Sequence, residues 1–330
     1  VRNEQYWGQA PAIRELRYVA IADPAARRVA LENGEVDVIT GNAALLDAVA
    51  NNAAFNRRHR TLVWPNLRSG FSFIAWNCGE RRGRTTPFVD ARVRRAMTHL
   101  IDRERMARDF HGGRATVCTG PFSPHTPQSD PSIEPWPMDL SEAARLLDEA
   151  GWMDRNRDGW RENERGDPFT FEFTYPAGTT TGPAIAAYLT AQAARVGVHC
   201  ESRMVEWAAY GQIQDGRDFD ALIMQWVQPA PEVDPRQVWH SDSMRQQGDN
   251  FVQWSSPTAD RLIDEGRREL DPEWRMAFWH ALHRHLHEEQ PYTFLLHTPT
   301  IVFINRRICN VHTYPCGLVI EEMYIPAPLQ

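Results

Sequence analysis

The sequence predicts an α/β protein with mixed sheets flanked by helices. Segments typical of strands alternate with segments of helical periodicity along the chain. Strands that alternate with helices favour parallel pairing through right-handed crossover connections. At roughly 100–200 residues per domain, the 330 residues predict about two domains.

The first predicted elements form a β-α-β unit. Residues 13–21 partly alternate between apolar and polar side chains, which predicts a strand. Asp23 and Pro24 are typical of a helix N-cap and first helical position, and Gly34 of the residue that ends a helix. Residues 36–39 then predict a second, short strand.

The rest of the chain continues this alternation. Predicted strands cover residues 71–76, 169–175, 198–205, 219–226, 292–297 and 300–304. Predicted helices cover residues 88–110, 139–150, 183–196, 206–214, 257–270 and 272–289. Residues 119–137 carry many prolines, so we expect an extended and irregular crossing there.

Composition excludes several classes of protein. The 42% of hydrophobic and 24% of charged residues are close to a globular average, which excludes wholesale disorder. The net charge of −7 disfavours a general nucleic-acid binder, which would usually be basic. All 36 basic residues are arginine, which excludes a lysine Schiff base and a P-loop lysine. The sequence contains no apolar run of about 18 residues, so we predict no membrane-spanning helix.

The five cysteines leave the redox state open. None forms a C-x-x-C pair, so a structural zinc site or a thioredoxin-like motif has no support. Cys309 and Cys316 could close a small loop by a disulfide. The close approach of their Cα atoms that a disulfide needs cannot be derived from sequence.

Five short motifs occur in the same order as in one protein family, over nearly the whole chain. They are NEQYW with Pro11, ALENGEVD at 30–37, PFVDARVRRA at 87–96 followed by IDRE at 101–104, AARLLDEAGW at 143–152 with Asp158-Gly159, and Phe219-Asp220 with Trp226 and Asp234-Pro235. Together they resemble the family 5 extracellular solute-binding proteins. These are the dipeptide-, oligopeptide- and nickel-binding receptors of ABC importers.

The resemblance implies a two-lobed, periplasmic-binding-protein-like (type II) fold. Val1 corresponds to a point within lobe one, so we expect the N-terminal part of that lobe to be missing from this chain. The expected division is residues 1–76 in lobe one, 77–297 in lobe two and 298–330 in the return to lobe one. The two crossings, at residues 76–78 and 297–299, would form a hinge that closes the lobes over a ligand.

The resemblance also implies which side chains contact the ligand. Trp226 ends an apolar strand of lobe two, where the family has a tryptophan that lines the cleft; core packing is the alternative role. Peptide-binding members often carry an aspartate three residues later for the peptide α-amine, but this position is Pro229, which argues against ordinary peptides. Glu232 or Asp234 could substitute for it. Trp239, His240 and Asn250 lie in a loop-rich region beyond that strand, where α/β scaffolds often carry binding residues; a surface loop pinned by one buried tryptophan is the alternative. The other predicted contacts are Gln225, Trp76, Asn77 and His297.

Residues 154–159 match the first half of an EF-hand-type calcium loop, D-x-N-x-D-G. The predicted ligands are Asp154, Asn156, Asp158, the carbonyl of Trp160, and Glu162. The twelfth position is Arg165 instead of a bidentate glutamate. The alternative is a hairpin-like turn between a helix and a strand. A structural calcium ion is the one cofactor that we consider, and none is required.

Four histidines lie on the predicted helix 272–289, namely His280, His283, His285 and His287. Spacing places three of them, at 280, 283 and 287, on one face, which could bind a transition metal. We favour a solvated helix face, because no carboxylate or cysteine obviously converges on it. The sequence also lacks a G-x-S-x-G nucleophile elbow and a G-x-G-x-x-G loop.

We therefore predict an extracytoplasmic substrate-binding protein of an ABC importer, and not an enzyme. It would bind a small polar or amphipathic solute, peptide-like or oligosaccharide-like, in the interlobe cleft and deliver it to the permease subunits. We expect a monomer that is periplasmic or extracellular, meets the membrane only through a lipid anchor or the permease, and binds no nucleic acid. The alternatives are a ligand-sensing domain of a regulatory protein and, more distantly, a hydrolase.

Overall fold

The computed structural model describes residues 1–179, 181–245 and 248–329. Its α-helices are α1 (Pro24–Asn33), α2 (Ala43–Val49), α3 (Ala53–Arg58), α4 (Ala91–His99), α5 (Arg103–His111), α6 (Leu140–Glu149), α7 (Gly182–Ala194), α8 (Trp207–Asp215), α9 (Arg236–Trp239), α10 (Pro257–Arg268) and α11 (Pro272–Glu289). Its strands are β1 (Val38–Thr40), β2 (His59–Trp64), β3 (Phe71–Trp76), β4 (Glu80–Arg81), β5 (Arg84–Thr85), β6 (Thr116–Val117), β7 (Thr170–Pro176), β8 (His199–Val205), β9 (Ala221–Trp226), β10 (Tyr292–Phe294), β11 (Leu296–His297), β12 (Thr300–Asn305), β13 (Thr313–Tyr314) and β14 (Gly317–Leu318). Among the described helices, none has the length and apolar character that a membrane span requires.

The larger sheet has five strands in the order β10-β3-β9-β7-β8. Strand β7 pairs in parallel with β8 and β9, whereas β3 pairs antiparallel with β9 and β10. Helix α7 connects β7 to β8, as expected for a parallel crossover. The sheet is therefore mixed and flanked by helices, which confirms the predicted fold class.

A hydrophobic core covers each face of this sheet. Ile74 and Trp76 of β3 belong to the core that includes residues of α4, α6 and α7. Phe71, Phe73 and Ala75 belong to the other core, with residues of α10 and α11. Successive side chains of a strand point to opposite faces, so the two cores share the strand alternately. The same alternation decides which side chains at the end of β9 meet in one cavity.

The smaller sheet has three antiparallel strands in the order β1-β12-β2. The chain leaves this sheet after β2, builds the whole larger sheet, and returns with β12. Such a return is the topology that a two-lobed protein with two crossings requires. The division into lobes stays a prediction, but β3 pairs within the larger sheet, which favours a first boundary before Phe71 rather than after Trp76.

The strand predicted for residues 13–21 is absent from the described sheets, so this prediction is wrong. The segment has no regular secondary structure, and Leu16, Tyr18 and Val19 are exposed. An alternating pattern becomes a strand only where a neighbouring strand supplies the ladder of hydrogen bonds. No described strand pairs with this segment.

The single helix predicted for residues 88–110 is divided into α4 and α5. Asp102 caps α5, because its carboxylate accepts a hydrogen bond from the backbone N–H of Arg105 at 2.8 Å. The apolar residues Leu100 and Ile101 lie between α4 and α5 and continue the apolar pattern of the two helices. Periodicity alone therefore does not reveal where the helix is divided.

Two histidines of α11 hold the proline-rich segment 119–137 against the helix. His283 Nε2 lies 3.0 Å from Thr119 Oγ1, and His283 Nδ1 accepts the backbone N–H of Asp130 at 2.9 Å. His287 Nδ1 lies 2.8 Å from the carbonyl oxygen of Thr119. Burial lowers the pKa of His283 to about 3, so its ring is neutral. The helix face that we predicted to be solvated is packed, and that interpretation is wrong.

Candidate functional site

A cavity of about 490 Å³ opens at the C-terminal end of β9. Trp226, the last residue of the strand, and Trp239 of α9 form aromatic walls together with Phe71 and Phe122. Most of the remaining wall comes from the segment between the two tryptophans, and Asp249 adds a carboxylate. The cavity therefore combines a mainly apolar wall with a few polar groups, as small-molecule sites do.

Prolines shape the segment that encloses the cavity. Strand β9 ends at Trp226, and Pro229, Pro231 and Pro235 follow. A proline has no backbone N–H to donate to a sheet ladder, so the strand cannot continue regularly. The chain loops outward and re-enters as α9, whose N-cap is Pro235. This path brings Trp239 back to the cavity that Trp226 lines.

The indole of Trp226 is partly buried and held on several sides. Its ring centroid lies 6.2 Å from those of Phe73 and Phe251, and its Nε1 lies 3.4 Å from Tyr292 Oη. The backbone of Trp226 packs directly on Gly70, where a Cβ atom would come within 1.6 Å of the Trp226 carbonyl oxygen. A partly exposed ring held in this way offers a flat apolar surface to a ligand.

Gln228 brings an amide to the same cavity. Its side chain is 3% exposed, and its Oε1 accepts the backbone N–H of Ser123 at 2.8 Å. Among the described residues, no acceptor lies within hydrogen-bond distance of its Nε2. A buried donor without a partner is costly, and Nε2 has almost no accessible surface, so it is an unsatisfied polar group behind the cavity wall instead of a ligand contact. Sequence reasoning missed Gln228, because nothing in its spacing marks it as buried.

Three carboxylates line the cavity, and they differ in their partners. Glu232 pairs with Arg275 at 2.6 Å, and this bond and charge hold the pKa of Glu232 below its ordinary value. Asp234 pairs with Arg267 at 2.9 Å. Burial raises the pKa of the third, Asp249, above its ordinary value. Sequence reasoning considered the first two as amine-binding groups and missed Asp249, which lies in a loop without periodicity.

Gln225 lies on the opposite face of β9 from Trp226, because adjacent residues of a strand alternate. It lines a separate cavity of about 140 Å³ together with Ser72, Ile223 and Thr298. Its Nε2 donates a hydrogen bond to the backbone carbonyl of Ser69. The structure therefore does not bring Gln225 and Trp226 to one cavity.

Three other predicted contacts are fully buried and hydrogen-bonded within the protein. Trp76 Nε1 donates to Thr293 Oγ1 at 3.0 Å, and Asn77 Nδ2 donates to the carbonyl oxygen of Phe219 at 2.8 Å. The side-chain amide of Asn250 donates to the carbonyl oxygens of His240 and Trp254 and accepts the backbone N–H of Trp254. These residues are not among the described residues that line either cavity, and their arrangement fits a role in holding the loops.

The two predicted histidine contacts are also buried. His240 Nδ1 lies 3.8 Å from a carboxylate oxygen of Asp242 and 3.7 Å from one of Asp260. His297 Nδ1 lies 2.7 Å from the carbonyl oxygen of Gly70. No described residue is a hydrogen-bond partner of His297 Nε2. Ligand contact by these side chains stays a prediction.

The predicted calcium ligands form a turn that uses its own oxygens. Asp154 and Asn156 accept the backbone N–H of Asp158 at 3.1 and 2.9 Å, and Asp158 accepts that of Trp160 at 2.8 Å. Glu162 forms an isolated antiparallel bridge across the turn. Within the described ranges, no three histidine, cysteine or carboxylate side chains are placed to hold a metal. The geometry matches the hairpin-like alternative, and calcium binding stays a prediction.

All five cysteines are free thiols, so Cys309 and Cys316 are not joined. Burial raises the pKa of Cys78 to about 11 and that of Cys118 and Cys200 to about 12. These three thiols therefore stay protonated at neutral pH.

Comparison with known proteins adds independent evidence. A family model described as bacterial extracellular solute-binding proteins, family 5 Middle, matches residues 1–246. The chain is 26% identical to the oligopeptide-binding protein AppA of Bacillus subtilis over 298 residues, which are 89% of this chain and 52% of AppA. It is also 26% identical to the nickel-binding periplasmic protein of Escherichia coli over 326 residues, which are 96% of this chain and 59% of that protein. The chain thus spans little more than half the length of these relatives.

The fold has a match among solved structures. The structure of AppA from Bacillus subtilis in complex with a nonapeptide matches 93% of this chain and 59% of its own chain, with a TM-score of 0.79 at 23% identity. This likeness confirms the predicted two-lobed, type II periplasmic-binding-protein-like fold.

Proposed function

The chain belongs to the bacterial extracellular solute-binding proteins of family 5, and we propose that it binds the solute of an ABC importer. It holds a small polar or amphipathic solute without altering it and delivers it to permease subunits. The observation that carries the proposal is the cavity of about 490 Å³ between Trp226 and Trp239. The matched relatives are named for oligopeptides and for nickel, which supports a binding role without selecting one ligand class.

The position of the cavity supports binding by lobe closure. Phe71 lines it, and Gly70 immediately before is the point where the chain enters the larger sheet. Movement about this crossing would change the mouth of the cavity, because Gly70 packs on the backbone of Trp226. Closure over a solute removes water and strengthens the few polar contacts that give specificity.

The role that we propose involves no covalent chemistry. The hydrolase alternative would use acid pairs or the histidines of α11, but both ring nitrogens of His283 have partners within the protein. Its strongly lowered pKa also makes it a poor proton acceptor near neutral pH. We further propose a monomer that works outside the cytoplasm, with a lipid anchor or the permease as its contact with the membrane.

Binding is tested with the full-length protein and a set of solutes. Calorimetry and intrinsic tryptophan fluorescence measure binding of amino acids, short peptides, oligosaccharides, organic amines and nickel–histidine complexes. We expect at least one class to bind, and Trp226→Ala to weaken that binding about tenfold or more, as for a large aromatic contact in a site. Trp274→Ala is the matched control, because Trp274 is 68% exposed on α11.

Two results would contradict the proposal. One is failure of every class to bind a protein whose circular dichroism shows that it is folded. The other is a chemical change in the bound solute, detected by mass spectrometry after incubation. The sensor alternative gains support if solute binding alters the affinity of the full-length protein for DNA.

A further inference from the structure

We infer that the solute is an organic cation, whose charged N–H group is accepted by Asp249 while its apolar body stacks on Trp226. This inference rests on the proposed function, since it assigns the ligand of the same cavity. It differs from the sequence expectation, which named Glu232 or Asp234 as the possible substitutes for the missing aspartate at position 229.

The charged groups of the cavity have one sign. Glu232, Asp234 and Asp249 line it, and no arginine or histidine is among the described lining residues. A site walled by low-dielectric groups and charges of one sign attracts ligands of the opposite sign. An anionic solute would meet three carboxylates at the wall, and Asp249 is the one of them that has no arginine ion pair among the described residues.

Two of these carboxylates already have their counter-charge. Glu232 binds Arg275 through both oxygens, at 2.6 and 3.0 Å, and one of them also accepts the indole N–H of Trp279 at 2.9 Å. Asp234 binds Arg267 at 2.9 Å. Arg275, Trp279 and Arg267 are not among the residues that line the cavity. Glu232 and Asp234 are therefore already paired without a ligand.

Asp249 is different. Among the described residues, Arg217 acts on the Asp249 carboxylate through its charge alone, without a hydrogen bond between the two side chains. Its side chain is hydrogen-bonded to the neutral side chain of Gln237, which also lines the cavity. A carboxylate offers about four acceptor positions, so Asp249 keeps acceptors that a ligand can use. Burial disfavours the charged form of Asp249 and so raises its pKa. A bound cation would offset this destabilisation of the carboxylate.

The aromatic wall fits the same class of ligand. A cation over the face of a tryptophan is attracted by the ring quadrupole, and Trp226 and Trp239 both line the cavity.

Three probes that share a flat ring and an oxygen atom test whether the cavity prefers a positively charged ligand. They are tyramine as the cation, N-acetyltyramine as the neutral analogue and 4-hydroxyphenylacetate as the anion. Calorimetry on the full-length protein should show tyramine binding about tenfold or more tightly than the other two. This comparison needs no variant, so it holds even if a substituted protein fails to fold.

The role of Asp249 is tested with Asp249→Asn, which keeps the shape and removes the charge. We expect tyramine to bind about 10- to 100-fold more weakly and N-acetyltyramine to be unaffected, as for loss of a charged hydrogen bond. Asp109→Asn is the control for net charge, because Asp109 is an exposed residue of α5. It should leave both affinities unchanged.

The outcomes separate this inference from the proposed function. If neutral or anionic solutes bind as tightly as tyramine and depend on Trp226, the cation assignment is wrong while the binding role stands. Equal binding of tyramine by the wild type and Asp249→Asn also overturns the assignment. If no solute of any class binds, both the assignment and the proposed function are wrong.

Discussion

His297 Nδ1 lies 2.7 Å from the carbonyl oxygen of Gly70, and this contact joins the two points where the chain passes between its sheets. Gly70 precedes β3, and His297 ends β11, shortly before β12 returns to the smaller sheet. The carbonyl can only accept, so Nδ1 is the donor. The two crossings are therefore tied to each other, and Gly70 links them to the backbone of Trp226.

The first prediction concerns Gly70. It has φ of +58°, and a Cβ atom would lie 1.6 Å from the carbonyl oxygen of Trp226. We expect Gly70→Ala to lower the free energy of unfolding by about 3 kcal/mol, from left-handed strain plus the clash. Gly113→Ala is the matched control, because Gly113 has φ of +71° with nothing within 4 Å of a Cβ atom. Urea denaturation should show a loss of only about 1 kcal/mol for the control; equal losses would contradict the clash.

The second prediction concerns Arg81, which binds three carboxylates. Its guanidinium lies 2.8 Å from Glu172, 3.1 Å from Asp218 and 2.7 Å from Asp220. Because the Asp220 side chain is only 4% exposed and keeps only Arg84, at 3.4 Å, as a charged partner, Arg81→Met should cost about 3 kcal/mol in urea denaturation. Arg82→Met removes an arginine that is 69% exposed and should cost less than about 1 kcal/mol. Similar costs for both variants would show that burial does not decide the effect.

The third prediction concerns pH and His283. Its folded pKa of about 3 lies below the ordinary value of about 6.5, chiefly because of burial and next because of His287. The neutral ring therefore stabilises the fold fully above about pH 6.5, and this contribution is lost as the pH falls toward 3. Between about pH 7.5 and pH 5 the wild type should lose about 2 kcal/mol more of its free energy of unfolding than His283→Gln does.

The control for this pH effect is His199→Gln, because His199 is exposed on β8. This variant should follow the wild type across the same pH range. A pH dependence that is unchanged in His283→Gln would show that this histidine does not titrate differently on unfolding.

The fourth prediction concerns the thiols. Cys309 and Cys316 are partly exposed and unjoined. Cys78 is also partly exposed, but burial raises the pKa of its thiol, as it does for the buried Cys118 and Cys200. A thiol-specific reagent at about pH 8 should therefore modify two cysteines of this chain in the folded protein and five after unfolding. Only three reactive thiols after unfolding without reductant would instead reveal a disulfide between Cys309 and Cys316.

Local signals in the sequence were sufficient for many elements. Asp23, Pro24 and Gly34 delimit α1 as predicted, with Asp23 accepting the N–H of Ala26 at 2.7 Å and Gly34 in the left-handed conformation. Such signals act between residues only a few positions apart, so they can be recognised without the fold. The resemblance of ordered motifs to the solute-binding family was confirmed for the same reason, because each motif is a short local pattern.

Sequence patterns whose outcome depends on a distant partner gave wrong predictions or none. The segment 13–21 has the pattern of a strand but no described neighbour to pair with. The histidines of α11 have the spacing of an open face, yet the segment 119–137 packs on it. Periodicity describes one face of an element and contains no information about what covers that face.

The sequence by itself determined the fold class, most helix ends and the position of Trp226 at the end of β9. Only the tertiary structure decided that Gln225 faces away from Trp226, that Asn250 holds a loop, and that Asp249 reaches the cavity. The reason is physical. Helix caps and strand alternation arise from neighbouring residues, whereas a cavity forms where distant segments meet, through long-range packing and the path of the loops.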